Sequence, residues 1–154
     1  VLKASSSLIP GKEVNLTDLP IKFATPSGGK LAYNKTIAGN TFQIAASKYD
    51  VHGFGTVADS FIVFDVSKYE NYFLSTKFGR DDESKKHRSS FVKPQVWLNG
   101  KISYDGPLMN SFDEPVDINI PVKGKYLVLV TYRGQDGVSG DHVDWIAPKL
   151  IRLN

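Results

Sequence analysis

The sequence predicts an all-β fold, a two-sheet sandwich in the jelly-roll arrangement with little helix. Three observations carry this expectation. Short segments alternate apolar and polar residues with a period of two. Clusters of Gly, Pro, Asn and Asp separate them at close intervals. No segment sustains the 3.6-residue apolar period of an amphipathic helix. About seven short strands of this kind make a sandwich by packing their inward rows together and gathering their loops at the two ends.

In chain order, residues 1–13 read as a Ser- and Gly-containing lead-in, and residues 14–154 as one sandwich domain. Val14 to Pro20 is a short strand or a turn, and Pro26 to Gly29 is a turn cluster. Asn40 to Asp50 fits a strand or an irregular edge. Ser60 to Ser67 alternates, with Ile62, Phe64 and Val66 on one face and Phe61, Val63 and Asp65 on the other. The next strand places Tyr72, Leu74, Thr76 and Phe78 on one side and closes at Gly79, before a polar loop. Phe91 to Leu98 alternates and ends at Asn99-Gly100, the dipeptide suited to a two-residue hairpin turn with positive φ at both positions. The return strand follows from Lys101. Pro94 implies an edge position or a bulge, because it has no N–H for a ladder. Val116 to Val122 is half-buried, with Val116, Ile118, Ile120 and Val122 inward. Lys125 to Arg133 and Ile146 to Leu153 are the last strands, and the twelve residues from Gly134 to Trp145 read as the loop between them.

Bulk properties exclude several classes. The 154 residues are 41% hydrophobic and 23% charged, within the range in which one core buries about two-thirds of the unfolded surface. The net charge of +3 and scattered basic residues provide no nucleic-acid footprint. No apolar run approaches the ~18 residues of a membrane span. The chain opens on Val1 without a basic or apolar leader, as expected of a piece cut from a longer precursor. Without cysteine there is no disulfide framework.

Catalytic motifs are missing. His52, His87 and His142 have no zinc-hydrolase spacing, no Gly-x-Ser-x-Gly elbow occurs, and Gly53-Phe54-Gly55 lacks the third glycine of a nucleotide loop. A glycosidase pair needs two carboxyls facing across a cleft, and adjacent Asp81, Asp82 and Glu83 read as loop charge. A non-enzyme is therefore expected.

What remains is binding chemistry. A sugar is held by a ring against its C–H face and by planar polar side chains that share hydrogen bonds with its hydroxyls. The loop from Gly134 to Trp145 holds both kinds of group. His142, Asp144, Trp145, Arg133 and Gln135 are the carbohydrate-binding candidates there, and Trp97, on the face opposite Val96 and Leu98, is a second ring. Hard cations prefer several oxygen ligands. Asp136, Asp141, Asp81 and Asp82 are the candidates for a structural calcium, although their spacing matches no EF-hand.

The ordered set of NLTDLP, GFGTVADSFIVFDVS, GRDDE, QVWLNGK and SGDHVDWIAPKL resembles the NPCBM type of carbohydrate-binding module, family 51, over about Val14 to Leu150. The resemblance implies a galactose-binding-domain-like β-sandwich, secreted or at a bacterial cell surface, on the same polypeptide as a catalytic domain. It also implies a ligand of the galactosyl or N-acetylgalactosaminyl type. Three departures stand out. Ile21 follows Leu-Pro where a Trp is usual, the Gly28-Gly29 segment lacks the family's Gly-Trp-Gly look, and Val57 stands where a His is usual.

Each candidate has a plainer reading beside it. Trp145 is a core ring with its indole N–H satisfied by a loop carbonyl, Asp144 ties its own loop backbone, and Asp81 and Asp82 tie a loop or bind an ion. Glu83 is solvated, whereas His142, on an exposed loop tip, has the least structural work to do. The departures at Ile21 and Val57 keep a second function open, a structural or protein-interaction sandwich that has lost its sugar site.

Overall fold

The computed structural model describes residues 12–25, 31–87, 91–133 and 142–153. Thirteen strands form among them: β1 (Glu13–Asn15), β2 (Ile21–Thr25), β3 (Leu31–Tyr33), β4 (Phe42–Ile44), β5 (Ser47–Tyr49), β6 (Gly53–Val57), β7 (Ser60–Asp65), β8 (Tyr72–Arg80), β9 (Val92–Leu98), β10 (Lys101–Asp105), β11 (Val116–Pro121), β12 (Tyr126–Arg133) and β13 (His142–Arg152). Among the described residues helix is confined to two 3₁₀ segments, Leu16–Asp18 and Asp82–His87. A six-stranded sheet has the order β11-β8-β13-β6-β3, with β1 added on β13. A five-stranded sheet has the order β10-β9-β12-β7-β2, and β4 and β5 pair as a separate hairpin.

The alternation in the sequence places the core. Tyr72, Leu74 and Phe78 of β8 and Val143 and Trp145 of β13 point inward from one sheet. Ile62 and Phe64 of β7, Val96 and Leu98 of β9, and Leu127 and Leu129 of β12 meet them from the other. Each such side chain, fully buried, contributes about 1.5–3 kcal/mol relative to exposure, so these rows are what fixes the register of each strand. A slip by one residue would turn a whole row to solvent.

The sheets contain more strands than the alternation reveals. Three-residue strands such as β3, β4 and β5 are too short to show a period. β6 reads as a Gly-x-Gly segment, yet it is the strand beside β13. Its Gly55 is there because the chain at Lys35 and Thr36 crosses directly above, where a Cβ would lie 2.4 Å from the Lys35 carbonyl oxygen. Gly79 does not close β8, which continues to Arg80; a Cβ there would press on Ile44. Both glycines make room for a third layer. The segment from Asn34 to the β4–β5 hairpin lies over the outer face of the six-stranded sheet, where Phe42, Ile44 and Ile146 form a second small core.

Pro94 departs from expectation in a different way. β9 is an interior strand, flanked by β10 and β12. The Pro94 carbonyl accepts the Gly106 N–H at 2.9 Å, just past the end of β10. Its missing donor faces that same side, where the ladder has already stopped, so no bond to β12 is lost. The Asn99-Gly100 turn forms as expected, with φ of 52° and 83°.

Candidate functional site

The acidic run leaving β8 is built into the fold by backbone donors. Asp81 accepts the Gln43 N–H on Oδ2 and the Glu83 N–H on Oδ1, each at 3.0 Å. Asp82 accepts Ala45 N–H at 3.1 Å on Oδ1, and Ala46 N–H at 2.9 Å and Gln43 Nε2 at 2.8 Å on Oδ2. Ala45 and Ala46 sit at φ of 49° and 71°, a turn normally made by Asn-Gly or Gly-Gly. The Asp82 carboxylate supplies from outside what the turn residues lack. Both aspartates therefore tie a loop, the plainer of their readings.

Glu83 is not solvated. Its side chain is 13% exposed. Oε1 accepts Thr36 Oγ1 at 2.7 Å and Asn40 Nδ2 at 3.0 Å, and Oε2 pairs with His142 Nδ1 at 2.5 Å. Burial alone would raise its carboxyl, but the hydrogen bonds from Thr36, Asn40 and His142 outweigh burial and hold it below the usual range. His142 is likewise not on a loop tip. It is the first residue of β13, with a 25% exposed side chain.

The rest of β13 separates two roles that the sequence leaves together. Trp145 has no exposed surface; it packs on Phe78 with ring centroids 4.7 Å apart, and its Nε1 donates to Thr131 Oγ1, a strand hydroxyl rather than a loop carbonyl. It is a core ring and offers no platform to a ligand. Asp144 faces the other way, between Gly55 and Gly79 on the neighbouring strands, and is also fully buried. Among the described residues it ties no loop backbone. No N–H or O–H donor among the described residues reaches either oxygen. Burial, reinforced by the Asp81 carboxylate beside it, pushes its carboxyl well above the usual range and so favours the protonated form.

Arg133 ends β12, its N–H bonded to Asp59 Oδ1 and its guanidinium 3.9 Å from Oδ2. Trp97 lies on the outer face of the five-stranded sheet, away from His142, as its alternation implies. Gln135, Asp136 and Asp141 lie outside the described residues. Among the described residues no group of three or more His, Asp or Glu side chains is placed to hold a metal ion. The Asp81 and Asp82 oxygens already accept N–H groups, so their donor set fits a tied loop better than a calcium site.

Beside the Glu83–His142 pair is a polar hollow of about 450 Å³, lined by Asn40, Thr41, Gln43, Lys48, Asp81, Asp82 and Glu83. It offers amides, an ammonium and carboxylate edges, and no nucleophile is paired with a base among these residues. The chemistry available is hydrogen-bonded recognition of a polyhydroxyl ligand. Thr36, Asn40, Gln43 and Lys48 are absent from the sequence candidates. Their segment shows no motif, and its one legible sign, the formal sequon Asn34-Lys35-Thr36, has a structural use: Asn34 Oδ1 accepts the Gly53 N–H and the Thr36 hydroxyl donates to Glu83.

The family model of the NPCBM/NEW2 domain matches residues 12–151. The chain belongs to the NPCBM/NEW2 domain family. No curated protein sequence matches it significantly. Among solved structures, this NPCBM domain is similar to the second family-51 carbohydrate-binding module of Clostridium perfringens ZmpB, in a structure with its INT domains and GlcNAc, at 26% identity and TM-score 0.83, over 92% of this chain and 32% of that one. It is similar to the family-51 module of the same organism's GH95 enzyme in complex with methyl-galactose, at 28% identity and TM-score 0.79, over 90% of this chain and 99% of that one. A ZmpB structure that includes the M60 catalytic domain and two such modules matches at 26% identity and TM-score 0.83, over 93% of this chain and 15% of that one. The NPCBM domain thus spans about a third or less of the ZmpB chains it matches, and its fold is that of a carbohydrate-binding module.

Proposed function

We propose that this NPCBM domain is a non-catalytic glycan-binding module of a secreted, multi-modular bacterial enzyme, taking terminal galactose or N-acetylgalactosamine at the end of the sandwich. The observation that carries the reading is the Glu83–His142 pair. In the tautomer whose Nδ1–H donates to Glu83, the His142 Nε2 is an acceptor for a sugar hydroxyl. Asn40, Gln43 and Lys48 line the adjoining hollow with donors. Glu83 acts as the positioning residue and His142 as the contact. The relative bound to methyl-galactose supports the sugar class, and the relatives that carry catalytic domains support the accessory role.

The test is titration calorimetry of the domain with methyl galactoside, N-acetylgalactosamine and N-acetylglucosamine. Binding of either galacto-configured sugar, lost in His142→Ala, is the expected result. If neither galacto-configured sugar binds under conditions that detect millimolar affinity, the reading fails, and binding of N-acetylglucosamine alone moves the module to a different sugar.

A structural or interaction role is favoured by one specific observation. Val57, where the family pattern has His, lies directly across the ladder from His142. If the wild type binds no sugar and Val57→His does, the sandwich has lost its site through that position.

A further inference from the structure

The outer face of the five-stranded sheet is apolar where a solvated face would be polar. An antiparallel sheet with one face in water normally alternates apolar-in with polar-out. Here the register aligns one outward row across all five strands: Phe23 opposite Val63, Val63 opposite Val128, Val128 opposite Trp97, and Trp97 opposite Ile102. The next row brings Phe61, Val130, Gln95 and Asp105 together, and the one after it Tyr132 and Lys93. Phe23 is 59% exposed, Tyr132 50%, Ile102 48% and Phe61 37%. Between the rings lies a shallow trough of about 530 Å³, floored by the valines. With strands ~4.8 Å apart, the four strands that line it give it a length of about 14 Å.

Polar groups on one bank narrow the choice of occupant. Trp97 Nε1 donates to Gln95 Oε1 at 3.0 Å, Gln95 Nε2 donates to Asp105 Oδ1 at 3.0 Å, and Lys93 Nζ reaches the same oxygen at 3.1 Å. This chain fixes the Trp97 ring in its plane, and the Lys93 ammonium and the Asp105 carboxylate have hydrogen-bonding capacity beyond these contacts. The buried centre of a protein–protein contact is depleted in such charges. Rings set beside oriented polar groups instead match an amphipathic ligand with C–H faces and hydroxyl edges.

We propose that this face is a second carbohydrate platform, which takes an extended oligosaccharide laid across the strands, with Trp97, Phe61 and Tyr132 against its sugar faces and Gln95, Asp105 and Lys93 at its hydroxyls. The platform shares no residue with the site at Glu83 and His142, so the two proposals stand or fall separately.

The experiment titrates the domain with cellohexaose and xylohexaose and, in parallel, with methyl galactoside. The expected result is binding of at least one hexasaccharide, weakened tenfold or more in Trp97→Ala and in Tyr132→Ala and unchanged in His142→Ala. Melting curves of the variants check the fold, and Phe61→Ala serves where Trp97→Ala does not fold. Three results overturn the proposal: neither hexasaccharide binds the wild type, binding survives all the ring variants, or binding is lost in His142→Ala. Sedimentation that shows self-association abolished by Tyr132→Ala, without sugar binding, assigns the face to a second copy of the chain instead.

Discussion

The His142 imidazole and the Glu83 carboxylate meet at 2.5 Å across 59 residues of sequence, joining the first residue of β13 to the 3₁₀ segment that follows β8. This contact closes one end of the sandwich and gives a histidine at a strand terminus a defined orientation. The same end contains the third layer, so loss of the contact reaches stability as well as recognition.

His142→Ala is accordingly expected to abolish binding of a galactoside and also to lower the melting temperature. The removed bond has a carboxylate acceptor, and such bonds contribute about 1.5–3 kcal/mol. Glu83→Gln retains much of the fold and reduces affinity through misplacement of His142. Calorimetry alongside circular dichroism separates the effects; an unchanged affinity in both variants would remove the pair from the site.

Asp144 makes stability depend on pH with an identifiable sign. Its folded-state carboxyl titrates well above its unfolded value, so the folded protein holds the extra proton between those values and loses stability as pH rises through that window. Asp144→Asn removes the ionisable group and keeps the size of the side chain. The variant is expected to melt several degrees above the wild type at neutral pH, with the gap closing near pH 4. A variant that is less stable at every pH would contradict this account of the buried carboxyl.

Glu83 acts in the opposite direction. Its carboxyl is held below the usual range, first against the cost of burial, by Thr36, Asn40 and His142. Its contribution is complete above the unfolded carboxylate range and is lost as pH falls through the folded-state value. Sugar binding measured down an acid series is expected to fall with it, and Thr36→Val is expected to move that fall to higher pH.

The Ala45-Ala46 turn holds two non-glycine residues in the left-handed region, at a cost of about 1–2 kcal/mol each. Ala46→Gly is expected to stabilise the protein by ~1 kcal/mol and to reduce the penalty of Asp82→Ala, itself about 2 kcal/mol from lost backbone acceptors. A double-mutant cycle read by urea denaturation measures the coupling; strict additivity would mean that Asp82 does not hold the turn.

Chelation tests the calcium expectation at the proposed site. The bonds that orient Glu83 and His142 are made by protein donors, so EDTA is expected to leave galactoside affinity within about twofold. A larger loss would assign a cation to this end of the sandwich.

How much of this was legible depends on range. In β7, β8, β9, β11 and β12 the inward rows are visible because side chains in a strand alternate with period two and one face must be buried. Asn99-Gly100 is visible because its φ values restrict the residue type. Ala45-Ala46 is invisible because its strain is met by Asp82, 36 residues further along for the Ala46 bond. The orders NLTDLP, GRDDE and DHVDW mark the family, and the family model spans the same stretch.

The sequence by itself determined the sandwich, its core rows and its family, since those follow from local alternation and from residue order. Only the tertiary structure decided what the individual residues of GRDDE and DHVDW do. Asp82 serves a distant turn, Asp144 and Trp145 turn to opposite sides of one strand into burial, and Glu83 and His142 find each other at the sandwich end. A carboxylate or an imidazole takes its role from the donors brought around it, and those donors come from strands far apart in the chain.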